Sequence, residues 1–155
     1  MMLGLTTYTT LKFLHVLLAI VAVGFNASYG IWLSAAARNP EHEGFALRQI
    51  KVLDDRFANP AYALLLVTGL SMVWVGNLDL TTFWLAAALV LYGVLLVLGL
   101  GVYTPTLRLQ IRTLQDHGPA SPEYRALAKR GTLVGVSLGV VVAIIVFLMV
   151  TKPTL

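Results

Sequence analysis

The chain has 155 residues, of which 58% are hydrophobic and only 12% charged, with a mean hydropathy of +0.82. A soluble domain carries about 25% charged residues, so this composition places the chain in lipid, as a single domain over 1–155. It excludes a disordered chain and a nucleic-acid-binding module, and the absence of cysteine excludes a disulfide scaffold and a zinc–cysteine site.

A bilayer core about 30 Å thick needs roughly 20 apolar residues per spanning helix. Four stretches qualify, and the sequence predicts spans at about 9–37, 57–78, 80–107 and 130–151. The runs are continuously apolar rather than alternating. The predicted fold is therefore all-α: a polytopic membrane protein built as a four-transmembrane-helix bundle. The first span ends in Ala35-Ala36-Ala37, which resembles a signal cleavage site. Its apolar run exceeds the roughly 7–15 residues of a signal core and only Lys12 precedes it, so it reads as a retained span.

This first span carries a polar stripe. His15, Ala19, Ala22, Asn26, Tyr29 and Leu33 share one face at about 100° per residue. Polar groups are costly against hydrocarbon, so the stripe should face the bundle interior. The connection that follows opens with Asn39-Pro40-Glu41, which reads as N-cap, N1 proline and first-turn acid. A helix starting there runs on into the second span, with Ala46, Ile50, Leu53 and Phe57 at helical spacing and Arg48, Lys51 and Asp55 elsewhere around the wheel.

A short connection at about 77–80 makes the second and third spans antiparallel neighbours, and Asp79 or Thr81 can cap the third helix. The third span answers the first with Ala88, Tyr92, Gly99, Tyr103 and Thr106 on one face. The two stripes could frame a pocket or serve as helix contacts. Thr104-Pro105 predicts a kink, and His117-Gly118-Pro119 predicts a stop well beyond the membrane. Ser121-Pro122-Glu123 repeats the helix-start signal, which gives two helical hairpins. The fourth span holds Gly131, Gly135 and Gly139, a small-xxx-small series suited to close packing within the bundle or to contact with a second copy or a larger membrane complex.

Nine of the eleven Lys and Arg residues lie in the two long connections; Lys12 and Lys152 are the others. The positive-inside rule then places both connections in the cytoplasm and both termini outside, in the inner (plasma) membrane of a bacterium. The basic balance is thus a topology signal and not a sign of an acidic partner.

His15 is the one histidine within a span, since His42 and His117 fall in the connections. A neutral imidazole in hydrocarbon either bonds a neighbouring helix or ligates haem or a metal. No second intramembrane histidine is present for a bis-histidine haem. Met72 and Met149 lie at a depth similar to that of His15, and histidine with a thioether suits haem b or, as the weaker alternative, copper(I). On this reading His15, Asn26, Tyr29, Tyr92 and Tyr103 would contact a cofactor, and His15 with Met72 a metal. The stretches 13–37, 57–78, 80–107 and 131–151 contain no Asp, Glu, Lys or Arg of the kind a coupled transporter uses, and no hydrolase triad or phosphate loop is present. The residues support a non-enzymatic accessory subunit or small-ligand binder, with a haem-binding redox protein and a copper-handling protein as alternatives.

The segment Leu11-Lys12-Phe13-Leu14-His15-Val16-Leu17, with Val23-Gly24 after it, resembles the opening of an uncharacterised family of small bacterial four-helix integral membrane proteins, a domain of unknown function. The four-span layout with charged hairpins is similar over nearly the whole chain. The same Lys-x-x-His opening more distantly resembles copper-resistance D domains and HemJ-type protoporphyrinogen oxidase; the latter resemblance implies a haem-binding histidine at His15. Two positions depart from that pattern: Ala22 stands where such motifs carry tryptophan, and Gly24-Phe25 replaces a doubled glycine.

Overall fold

The computed structural model describes residues 2–153, with side chains from residue 6 onward except that of Pro40. All regular elements among the described residues are helical. They are α1 (Met2–Ala36), α2 (Glu43–Leu53), α3 (Asn59–Val75), α4 (Phe83–Leu98), α5 (Thr104–His117) and α6 (Pro122–Thr151). One π-helical turn, Asp54–Ala58, joins α2 to α3, and another, Gly99–Tyr103, joins α4 to α5. The second long helix therefore runs Glu43–Val75 and the third Phe83–His117, and four helices in all are long and apolar enough to span a membrane. As expected from the start signals, the second and fourth helices begin within the charged connections, and the third continues into one.

The local signals differ in how they are used. Ser121 caps α6: its Oγ accepts from the Tyr124 N–H at 3.2 Å. Gly118 takes φ +77° at the end of α5, where its N–H bonds the Leu114 carbonyl. At the first connection the expected cap is replaced. Pro40–His42 form a single 3-10 turn, and α2 begins behind His42 with no side-chain cap. The chain reverses within a few residues there, and the tighter 3-10 turn accommodates the reversal. Asp79 closes the opposite turn without capping a helix. Its Oδ1 accepts from the Thr81 N–H at 2.8 Å and from Thr81 Oγ1 at 2.7 Å, whereas α4 begins behind Thr82.

Helices pair mainly within hairpins: α1 packs on α3, and α4 packs on α6. Along the first pair, Tyr8, His15, Ala22 and Tyr29 recur every seven residues on α1, while Gly76, Gly69 and Tyr62 run the opposite way on the partner. Bulk alternates across this seam. A Cβ on Gly76 would lie 2.8 Å from Tyr8 Cε2, and one on Gly69 would lie 3.2 Å from His15 Cε1. Next along, Ala22 is fully buried in a cluster that includes Tyr62.

The expectation that the second and third spans pack as neighbours needs correction. They are antiparallel, but α3 and α4 make no close backbone approach. The turn over 76–82 is longer than the sequence suggested, and tyrosine side chains fill the interval: the Tyr92 hydroxyl donates to the Tyr62 carbonyl. The stripes of the first and third spans make no close backbone approach, but their side chains meet in a shared cluster, Tyr29 and Leu33 with Tyr103 and Leu107, and Leu33 and Tyr103 line one cavity.

At the charged end α2 packs on α1 and α5, where Leu47 and Ile50 are the largest fully buried side chains. The expected apolar face holds at Ala46 and Ile50, but the π-turn carries it from Phe57 to Ala58. Phe57 is instead half-exposed and tilts against Phe25 with ring centroids 5.3 Å apart. In the fourth helix, Gly131 and Gly135 admit Gln110 and Tyr103, whose atoms lie 3.4 Å and 3.6 Å from a built Cβ, while Gly139 faces open space. The outward faces are apolar, with Val90, Val97, Trp74 and Val150 well exposed, as lipid-facing surfaces require.

Candidate functional site

His15 projects from α1 across the bare backbone at Gly69 and sits half-buried in the seam. Its Nδ1 lies 2.8 Å from Thr68 Oγ1. The threonine has a single hydroxyl hydrogen, and that hydrogen is directed to the Leu64 carbonyl at 2.8 Å, with the Leu65 carbonyl at 3.2 Å. With the hydroxyl hydrogen on that carbonyl, Thr68 Oγ1 accepts from His15 Nδ1, and in that tautomer Nε2 carries the ring's lone pair. A ligating histidine is commonly oriented this way, with one nitrogen anchored by a hydrogen bond and the other turned to the metal.

This chemistry fits axial ligation of haem iron from one side, or a bond to a soft metal ion. Met72 is one turn beyond Thr68 on the same face of α3. The other expected contacts lie deeper. Asn26 is about 16 Å from His15 along the helix and Tyr29 about 21 Å, at 1.5 Å per residue. Asn26 Nδ2 donates to the Tyr62 hydroxyl at 2.5 Å, and Tyr92 bonds the Tyr62 carbonyl. Tyr103 lines a cavity at the charged end. The structure thus gathers Asn26 and Tyr92 around Tyr62 and separates them from His15.

A second polar group was not singled out by sequence reasoning. Asp54 is only 5% exposed and faces the bundle interior. Its Oδ2 accepts from Asn59 Nδ2 at 3.2 Å and from Thr104 Oγ1 at 3.3 Å. Tyr29, Tyr62 and Tyr103 all lie within its electrostatic reach. A signal was present: Leu47, Ile50, Asp54, Ala58 and Ala61 follow one helical face, so Asp54 shares the face of buried residues. Asp55, its neighbour, is on the exposed side, paired with Lys51.

The cavity at the charged end has a volume of about 150 Å³ and is lined in part by Glu43, Tyr103, Gln110, Tyr124 and Gly131. Glu43 Oε2 is buried without a hydrogen-bond partner, and so is the Tyr29 hydroxyl.

Comparison with known proteins gives one match. The model of a family described as "Predicted integral membrane protein (DUF2269)" covers residues 9–153, and the chain belongs to that family. No curated protein and no solved structure matches.

Proposed function

From that membership, which assigns a bilayer and no activity, we propose that the chain is a non-enzymatic membrane protein that binds a small ligand or cofactor against its helices, anchored at His15. The supporting observation is the Thr68 tether, which anchors the ring at Nδ1 and makes Nε2 the nitrogen that would ligate. Haem b is the first candidate: Nε2 would supply an axial bond, and the iron would supply one-electron chemistry. Copper(I) held by His15 and Met72 is the second, favoured by the position of Met72 on the Thr68 face.

The visible spectrum and metal content of protein purified from haem- and copper-replete cells test this reading. A Soret band lost in His15→Ala supports haem, and stoichiometric copper without a Soret band supports copper. A colourless, metal-free protein, with cofactor retention checked in native membranes, overturns both.

The charge distribution supports a cytoplasmic location for the charged end in a bacterial plasma membrane, with Arg38, Arg48, Arg56, Arg108, Arg112, Arg125 and Arg130 all exposed there. A C-terminal reporter that is active only in the cytoplasm would refute this orientation if it gave signal.

A further inference from the structure

Asp54 poses an electrostatic problem that its visible partners do not solve. Its carboxylate is buried, and its two contacts are neutral donors at 3.2 Å and 3.3 Å. Among the described residues the one ion pair is Lys51–Asp55, on the exposed side of the same helix. A buried carboxylate must either hold a proton or meet a counter-charge, and two long neutral hydrogen bonds offset only part of the cost of the ionised form.

A second observation comes from the helix packed on this turn: α1, which carries Tyr29, lies against the π-turn that carries Asp54. The Tyr29 side chain is only 5% exposed, and its hydroxyl has no hydrogen-bond partner. The two features point to something that takes an oxygen lone pair from each. The backbone agrees. Both π-helical turns converge on this point, one carrying Asp54 and ending before Asn59-Pro60, the other ending before Thr104-Pro105. Single π-turns occur often at functional sites. Each proline also withholds an N–H from the preceding turn, leaving carbonyl oxygen short of a helix partner.

We propose that Asp54, Tyr29 and Thr104 form a binding site for a monovalent metal cation where the two π-helical turns meet α1. Every donor is oxygen, which selects a hard cation, and the single carboxylate matches a single positive charge. The hydrogens of Thr104 Oγ1 and Asn59 Nδ2 are committed to Asp54 Oδ2, which leaves the threonine lone pairs, the asparagine Oδ1 and Asp54 Oδ1 for the ion. Among the described residues no three His, Cys, Asp or Glu side chains converge, so the set does not suit a divalent or transition metal. The cavity lined by Glu43, Tyr103 and Tyr124 lies toward the charged end and does not include the proposed ligands. This site is independent of His15, about 21 Å away along the first helix at 1.5 Å per residue.

The test uses the full chain in lipid nanodiscs in choline chloride, with NaCl or KCl replacing choline at constant ionic strength. Thermal unfolding is followed alongside equilibrium binding of radioactive sodium or rubidium. The expected result is a saturable rise in melting temperature with one or both cations and one ion bound per chain. Asp54→Asn should abolish both effects, Tyr29→Phe should weaken binding about tenfold, as for the loss of one of several ligands, and His15→Ala should bind as the parent does. Equal melting temperatures in choline, sodium and potassium, the outcome for an Asp54 neutralised by a proton alone, overturn the proposal. So does unchanged affinity in Asp54→Asn. If that variant fails to fold, unchanged affinity in both Tyr29→Phe and Thr104→Val overturns it equally.

Discussion

Replacing Gly69 with alanine should destabilise the bundle through His15 alone, and the sign of the effect should reverse when His15 is removed. The new Cβ would lie 3.2 Å from His15 Cε1 and 3.7 Å from Nδ1. Ordinary carbon contacts lie at about 3.5–4.0 Å, so the ring must withdraw by a few tenths of an ångström. It is not free to do so, because Nδ1 is held at 2.8 Å by Thr68, the residue next to the substitution. Withdrawal stretches that bond toward the limit of about 3.2 Å. An interhelical hydrogen bond in a membrane contributes about 0.6 kcal/mol and at most about 1.7, and overpacking costs about 1–3 kcal/mol. Against these, alanine in place of a helical glycine recovers about 0.5–1 kcal/mol. The net loss should be about 0.5–2 kcal/mol. Gly93 supplies the control: it lies within α4, and a Cβ there meets nothing within 4 Å, so Gly93→Ala should be neutral or stabilising. In a His15→Ala background, Gly69→Ala should behave like Gly93→Ala. Reversible unfolding of these variants in mixed micelles titrated with SDS measures the cycle. Gly69→Ala stabilising the parent, or its penalty surviving the loss of His15, would refute the reasoning.

Tyr62→Phe removes the acceptor for Asn26 Nδ2 and should cost about 0.6–1.7 kcal/mol in the same assay; that loss should vanish in an Asn26→Val background, which leaves no amide to orphan. Asp79 carries a pH dependence. The Thr81 backbone N–H, then the Thr81 hydroxyl, hold its carboxyl below the usual 3.8. A carboxyl with a lowered folded-state value contributes stability that is fully present above its unfolded value and lost as pH falls through the folded one. The melting temperatures of the parent and Asp79→Asn should therefore converge as the pH is lowered through and below 3.8; a constant difference down to pH 2 would count against the turn contact.

Span number, helical class and helix starts were legible because lipid imposes a simple rule: long apolar runs must satisfy their own backbone. Ser121 and Gly118 acted through strictly local chemistry, so four-residue motifs sufficed to find them. The Asn39-Pro40-Glu41 signal was misread because its outcome depends on how sharply α1 and α2 reverse, a property of the packed hairpin. The inward stripe of α1 was legible from periodicity, but not which helix it meets. Tyr62 receives Asn26 and Tyr92 with different atoms, and no pattern within either span encodes that bridge. Asp54 was obscured by its charged neighbours. Composition groups it with Lys51, Asp55 and Arg56 as connection charge, whereas its helical phase puts it with Ile50 and Ala58.

Polar side chains in this bundle follow two rules, and the division locates the functional helix. Thr10, Ser71, Ser137 and Thr151 each bond a carbonyl one turn back on their own helix. That is the local solution for a hydroxyl with no partner across the bundle. His15–Thr68, Asn26–Tyr62, Tyr92–Tyr62 and Thr104–Asp54 cross between helices, and all four have one partner on the second long helix. In hydrocarbon an interhelical polar bond is directional where apolar packing is not, so these contacts fix the depth and rotation of that helix against both hairpins. The same helix bears Gly69 beneath His15 and the π-turn that turns Asp54 inward. Both candidate sites therefore depend on one rigid element.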